Sequence, residues 1–240
     1  MTAQESNATP PSAQANNKPA NPQANINSNS NGDTPAPHEK PRPAKAAARL
    51  RPARPSDAAA IAGLGADAFS QTFGHSVEPH ELQAFLDAEY TPAAIARDLA
   101  DPEKEVVVAV ADTPSSSPDD AASATSGQGK GAEEAEEILG FAYLTLNSDD
   151  PAVSTFPSRA ELQRIYVSPR AHGAGVGGAL AREVDRLARA RGFRHLWLGV
   201  WEENAVALRA YARWGYRVVG THDFWVGPVC QRDSVMVKEL

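Results

Sequence analysis

Cysteine is nearly missing from this chain, Cys230 being the single thiol in 240 residues. One thiol excludes an internal disulfide and any cysteine-cluster metal site, and none of the six histidines has metal-ligand spacing, so no metal is expected. Long apolar runs are missing too. No stretch approaches the roughly 18 to 20 residues that a membrane span needs. The opening residues, MTAQESNATPPSAQANN, form neither a charged-then-apolar leader nor an Arg-rich transit segment. Basic charge is in deficit: Lys and Arg total 23 against 30 Asp and Glu, a formal net charge of -7 that would repel a phosphate backbone. These absences exclude a membrane protein and a general nucleic-acid binder, and they point to the cytoplasm, or the nucleus, as the compartment. What is present, 42% hydrophobic and 22% charged residues, excludes a wholly disordered or collagen-like chain.

That average conceals two low-complexity segments. Residues 1–48 are mostly Asn, Pro, Ala, Ser and Gln, with almost no bulky apolar residue beyond Ile26, too little to offset the entropy of ordering. They read as a disordered tail whose Pro-, Ala- and basic-rich end, continuing to Arg54, is a solvated linker rather than a nuclear or nucleic-acid signal. Residues 113–137, TPSSSPDDAASATSGQGKGAEEAEE, read as a disordered acidic insertion, because so long a structureless loop is uncommon inside a compact domain. Its flanks, EVVVAVAD at 105–112 and ILGFAYLTL at 138–146, are rich in β-branched and aromatic residues, so the insertion is the tip of an interrupted hairpin.

The remainder, 49–240, reads as one domain. A strand at 50–54 precedes a helix capped by Ser56 or Asp57 and running to Phe73. Helices follow at 78–89 and from Thr91 to Asp101, the latter opened by a Thr91 cap and Pro92 at its first position. After the hairpin come a strand at 161–167, a glycine-rich turn, and a helix at 177–191 with Leu180, Val184 and Leu187 on one stripe. A strand at 194–201, a helix at 204–214 stopped by Gly215, and strands at 216–224 and 234–238 complete the chain. Hairpins mixed with one βαβ crossover give an α/β (α+β) fold class, a single mixed sheet flanked by helices.

The run Arg170-Ala-His-Gly-Ala-Gly-Val-Gly-Gly carries the chemistry. Glycines at 173, 175, 177 and 178 let backbone N–H groups approach an anion, the helix behind them adds its positive dipole end, and Arg170 adds a charged donor. A turn that serves only strand-to-helix packing is the plainer alternative. Gly173, Gly175 and Gly178 also spell G-x-G-x-x-G, with Glu202 near the place of a ribose-binding acid. Against dinucleotide binding, residues 168–172 separate the strand from the first glycine, and no second mononucleotide-binding half has room.

The passages IYVSPRAHGAGVGGAL (165–180) and NAVALRAYARWGY (204–216) together resemble the GNAT superfamily of acyl-CoA-dependent N-acyltransferases. Arg170, Gly173 and Gly175 match its Q/R-x-x-G-x-G/A signature; Asn204, Ala207, Tyr211, Gly215 and Tyr216 match its N-x-x-A-x-x-x-Y-x-x-x-G-F/Y helix. The resemblance covers residues 50–240. ADAFSQTFGHS (66–76), LWLGVWEENA (196–205) and GTHDFWVG (220–227) look like the Pai-type spermidine/spermine N-acetyltransferases.

The resemblance implies a mostly antiparallel sheet of about seven strands, splayed where acetyl-CoA enters as co-substrate. Backbone groups of Ile165, Tyr166 and Val167 would pair with the pantetheine arm. The amides of His172, Gly173, Ala174, Gly175, Val176, Gly177 and Gly178 would hold the pyrophosphate. An amine would attack the thioester directly, and Tyr211, a phenol with an ordinary pKa above a thiol's, would protonate the leaving sulfur; its spacing fits a core aromatic equally. Asn204 would contact CoA or the acceptor, or cap its helix. Glu161 is the candidate base, since Gln163, where the family often has Glu, cannot take a proton; a solvated surface Glu is the alternative. Asp67, Glu78, Glu81, Asp87 and Glu89 would make an acidic acceptor mouth, and Trp201, Phe224 and Trp225 would line its pocket or the core. The expected partner is a small amine, polyamine first, acted on by a monomer or homodimer. A protein N-terminal or lysine acetyltransferase, a non-catalytic acyl-CoA-binding module and a dinucleotide-binding protein remain as alternatives.

Overall fold

Seven strands and five helices form in the residues that the computed structural model describes, 48–112 and 136–240. The segments that the sequence marks as tail and insertion lie outside the described residues, apart from Ala48, Glu136 and Glu137. In chain order the elements are β1 (Ala48–Pro52), α1 (Ala58–Phe73), α2 (Pro79–Glu89), α3 (Pro92–Ala100), β2 (Lys104–Ala111), β3 (Ile138–Thr145), β4 (Arg159–Val167), α4 (Val176–Ala190), β5 (His195–Trp201), α5 (Ala205–Arg213), β6 (Arg217–Val226) and β7 (Val229–Glu239). The sheet order is β1-β2-β3-β4-β5-β7-β6. Among the described residues β4 and β5 are the one parallel pair, joined by α4, and the run of parallel strands that a dinucleotide fold requires is absent from them.

Local chemistry sets the ends of these elements. Thr91 Oγ1 accepts the Ala94 N–H at 3.1 Å and Pro92 needs no acceptor, so α3 starts there. At the edge strand, Arg51 forms a forked pair with Asp57 at 2.7 and 3.0 Å, and both Arg49 and Arg51 bind Glu136. This fastens β1 to the start of α1 and to the chain entering β3. β7 runs farther than its apolar stretch suggests, because a two-residue turn at Gly227 and Pro228 pairs Val226 with Val229 and carries Gln231, Arg232 and Asp233 into the ladder.

The sheet separates two apolar layers. On one face α4 and α5 bury Val176, Leu180, Val184, Ala207 and Tyr211 against Leu162, Ile165, Leu198 and Val200. On the other, α1 to α3 bury Ile61, Phe69, Phe73 and Ile95 against Val108, Phe141, Tyr143, Tyr166 and Trp201. Each of these large side chains contributes about 2 kcal/mol of transfer free energy.

One irregularity positions everything that follows. Tyr143 pairs with Arg164 but Leu144 pairs with Leu162, so Gln163 is an extra residue in β4. Such a bulge bends its strand and increases the local twist. β4 and β5 accordingly pair only from Arg159 opposite His195 to Glu161 opposite Trp197, and then separate. Beyond that point no strand among the described residues lies beside the edge of β4 that faces β5.

Candidate active site

The opening between β4 and β5 begins at Glu161 and the bulge. Thr145 lies opposite Glu161 in the β3–β4 ladder, and its hydroxyl donates to Gln163 Oε1 at 3.0 Å, which places all three side chains on one face. Glu161 is 2% exposed. The alternative of a solvated surface carboxylate therefore fails, because the antiparallel partner and the layer over it exclude water. Ile165 points into the α4–α5 layer and Tyr166 into the opposite one, where its hydroxyl meets that of Tyr90 at 3.0 Å.

Past β4 the chain makes a 3-10 turn over Pro169–Ala171 and then the glycine loop. The His172 ring bonds the Val167 carbonyl at 3.1 Å, pinning the loop to the end of the strand. Gly173 and Gly175 take φ of +77 and +87, and a Cβ at either would meet nothing within 4 Å, so open space lies over the loop. The amides of His172 and Ala174 bond the Pro169 and Ala171 carbonyls at 3.2 Å, so these two of the seven serve the turn. Val176, Gly177 and Gly178 form the first turn of α4, whose N–H groups have no carbonyl behind them and carry the positive dipole end. Arg170 stands exposed at the mouth, 3.4 Å from Glu137.

α5 closes the same face. Asn204 caps it, Oδ1 accepting the Ala207 N–H at 3.0 Å, and the Asn204 N–H bonds the Trp201 carbonyl at 2.9 Å, tying the helix to the end of β5. Tyr211 is buried among residues of both separated strands and packs edge-on against Trp214 and Tyr216, each with centroids 5.7 Å away. The structure thus brings Tyr211, the glycine loop and the open edge of β4 to one face.

The opposite face is built from side chains. Arg164, following the bulge, is buried and lies over the rings of Tyr90 and Tyr143 at 5.0 and 5.4 Å, with Glu89 at 2.7 Å and Asp98 at 3.6 Å. Burial pushes the Tyr90 phenol up to about 12, against the opposing pull of Arg164. The expected acidic mouth does not assemble. Glu89 serves Arg164, Asp87 accepts from Gln83 at 2.7 Å, Glu81 sits against the Gly227 turn, and Asp67 and Glu78 face solvent, because a helix distributes these positions around its axis.

An acidic cavity does exist elsewhere. Where β7 continues past the end of β5, a cleft of ≈ 430 Å³ is lined by Ser76, Trp201, Glu202, Glu203, Asp223 and Gln231 among others. The three segments that look like Pai-type enzymes supply five of these six. Phe224 belongs to the core, and Trp225 is exposed. Beside the cleft, His222 Nδ1 meets Asp150 Oδ2 at 2.8 Å and Nε2 lies 3.7 Å from Asp233 Oδ2. The ring reaches over β7 to β5, where Gly199 leaves room: a Cβ there would come 3.0 Å from Nε2. Burial pulls the imidazolium down, but Asp150 and Asp233 outweigh it and hold its pKa at about 9.

Sequence reasoning missed Arg164, His222 and the cleft. The available signal was polar residues inside strands, as in THDFW and QRDS, where a ladder position calls for a partner rather than for solvent.

Comparison with known proteins agrees with this geometry. The model of the acetyltransferase (GNAT) family matches residues 84–216. An uncharacterized N-acetyltransferase of Mycobacterium tuberculosis is 30% identical over 185 residues, 77% of this chain and 99% of that protein. The streptothricin acetyltransferase of Streptomyces lavendulae is 30% identical over 177 residues, 71% of this chain and 82% of that one. The solved PaiA N-acetyltransferase of Thermoplasma acidophilum, in complex with coenzyme A, shares the fold: TM-score 0.60, 16% identity, 81% of this chain and 99% of that one.

Proposed function

The chain belongs to the acetyltransferase (GNAT) family and is an acetyl-CoA-dependent N-acetyltransferase; on that premise we propose that its acceptor is a primary amine of a polyamine, spermidine or spermine. The observation that carries the acceptor is the acidic cleft at the end of β5, lined by β7 together with the three segments similar to Pai-type enzymes.

The residues present fit acetyl-CoA: the β4 edge stands open past Glu161, and open space lies over Gly173 and Gly175 beside unbonded helix amides. Bound there, the co-substrate supplies an acetyl group activated as a thioester. The amides of Gly173, Gly175, Val176, Gly177 and Gly178, with Arg170 at the mouth, receive the phosphates. Backbone groups of Ile165 to Val167 hold the pantetheine arm as an added strand. Glu161 takes the proton that the acceptor's ammonium loses. Tyr211 would give its proton to the sulfur as the C–S bond breaks; the phenol's ordinary pKa lies above a thiol's, so the transfer depends on a donor already positioned where negative charge builds on the sulfur. Asn204 orients this end of the site while capping α5.

Thiol release with acetyl-CoA and a panel of spermidine, spermine, lysine and peptide N-termini tests the reading. Spermidine and spermine are expected to give the highest kcat/KM. Preference for the peptides or lysine replaces the acceptor, and no turnover of any amine despite tight CoA binding removes the reading altogether.

A further inference from the structure

We propose that the cleft at the end of β5 seats the second, non-reacting ammonium of the acceptor, so that the enzyme selects molecules carrying two or more amines. The inference rests on the amine-acetylating reading above and assigns residues to that selection.

Charge and unmet hydrogen bonding point to the ligand together. One cation, Arg232, also lines the cleft; it faces Asp223 at 3.9 Å across the β6–β7 ladder, so this pair cancels and Glu202 and Glu203 are left as the net charge of the lining. Glu202 and Glu203 pair with no cation among the described residues, although the Glu202 N–H is fixed to the Arg232 carbonyl at 3.1 Å. Gln231 is 6% exposed and lines the same cavity. Its Nε2 donates to Ser76 Oγ at 2.7 Å, while its Oε1 has no partner. A buried acceptor left unmade is costly, and a cation is its strongest remedy. An ammonium carries three N–H donors; two carboxylates and this carboxamide oxygen offer it three acceptors. Trp201 supplies an aromatic wall, over which a cation is favoured.

Position agrees with chemistry. The chain from Trp201 to Asn204 forms the wall of the cleft and then starts α5, which carries Tyr211, so the seat adjoins the separated end of β5. A short acidic acceptor would meet repulsion here, and a monoamine would leave Gln231 Oε1 unsatisfied.

Cys230, the only thiol, is exposed and lines the same cavity, so alkylation by iodoacetamide reports occupancy without any turnover. With the full chain, spermidine should slow alkylation of Cys230 at concentrations where propylamine does not. The paired change Glu202→Gln with Glu203→Gln should abolish that protection and lower the spermidine-to-propylamine ratio of kcat/KM by about tenfold. Equal protection by the two amines, or an unchanged ratio in the variant, overturns the proposal. If no amine is acetylated yet spermidine still protects, the seat stands and the reaction assigned above fails.

Discussion

The two faces of the sheet offer recognition of different kinds. On the α4–α5 face the contacts available to a ligand are backbone groups: the open edge of β4, the amides around Gly173 and Gly175, and the first turn of α4. On the α1–α3 face they are side chains, held by Arg164 among tyrosines and by His222 between carboxylates, and at the end of β5 the cleft adds Glu202, Glu203 and Gln231. A backbone cradle depends on conformation and tolerates most side-chain exchange, whereas a side-chain site can be rewritten one residue at a time. One scaffold can thus keep its co-substrate while changing its acceptor.

The largest break in this division should come from Arg164→Leu. It leaves Glu89 without its cation, while Asp98 keeps Lys104, and urea unfolding should report a loss of about 3 kcal/mol; a loss under about 1 kcal/mol would show that the Arg164 cluster is dispensable. Tyr211→Phe tests the other face by chemistry rather than by stability. Its kcat should fall about 100-fold while acetyl-CoA binding by calorimetry is kept, and an unchanged kcat removes Tyr211 from its role. Gly173→Ala imposes a side chain at φ +77 and should raise KM for acetyl-CoA about tenfold, leaving the acceptor's KM alone. A rise in the acceptor's KM instead would merge the two faces.

The smallest effect concerns His222. Its folded pKa of about 9 lies above the ordinary 6.5, so the stability it contributes is complete below pH 6.5 and is lost as pH rises through 9. His222→Gln should lower Tm at pH 7 by a few degrees, a discounted ~1 kcal/mol because the ring is partly solvated. The gap to the wild type should close by pH 10. A constant gap from pH 7 to 10 would mean packing, not charge, is what the ring provides.

Which parts were legible in the sequence follows the same division. Four glycines in one short loop, the Thr91-Pro92 start and the apolar stripe of α4 are local signals, so the order of elements and the cradle could be read from the chain. The β4 bulge could not, because a one-residue shift exists only relative to the partner strand. The cleft joins Ser76 to Gln231, 155 positions apart, and Asp150 reaches His222 over 72. The acids of α1 and α2 looked like one mouth because they are near in sequence; on helices that nearness spreads them over different faces.

Amide hydrogen exchange of the full chain with and without CoA tests the central claim most directly. Slowed exchange confined to Ile165 to Val167 and to Gly173 to Gly178 is the predicted result. Protection falling instead on the cleft residues Glu202, Glu203 and Gln231 would contradict it.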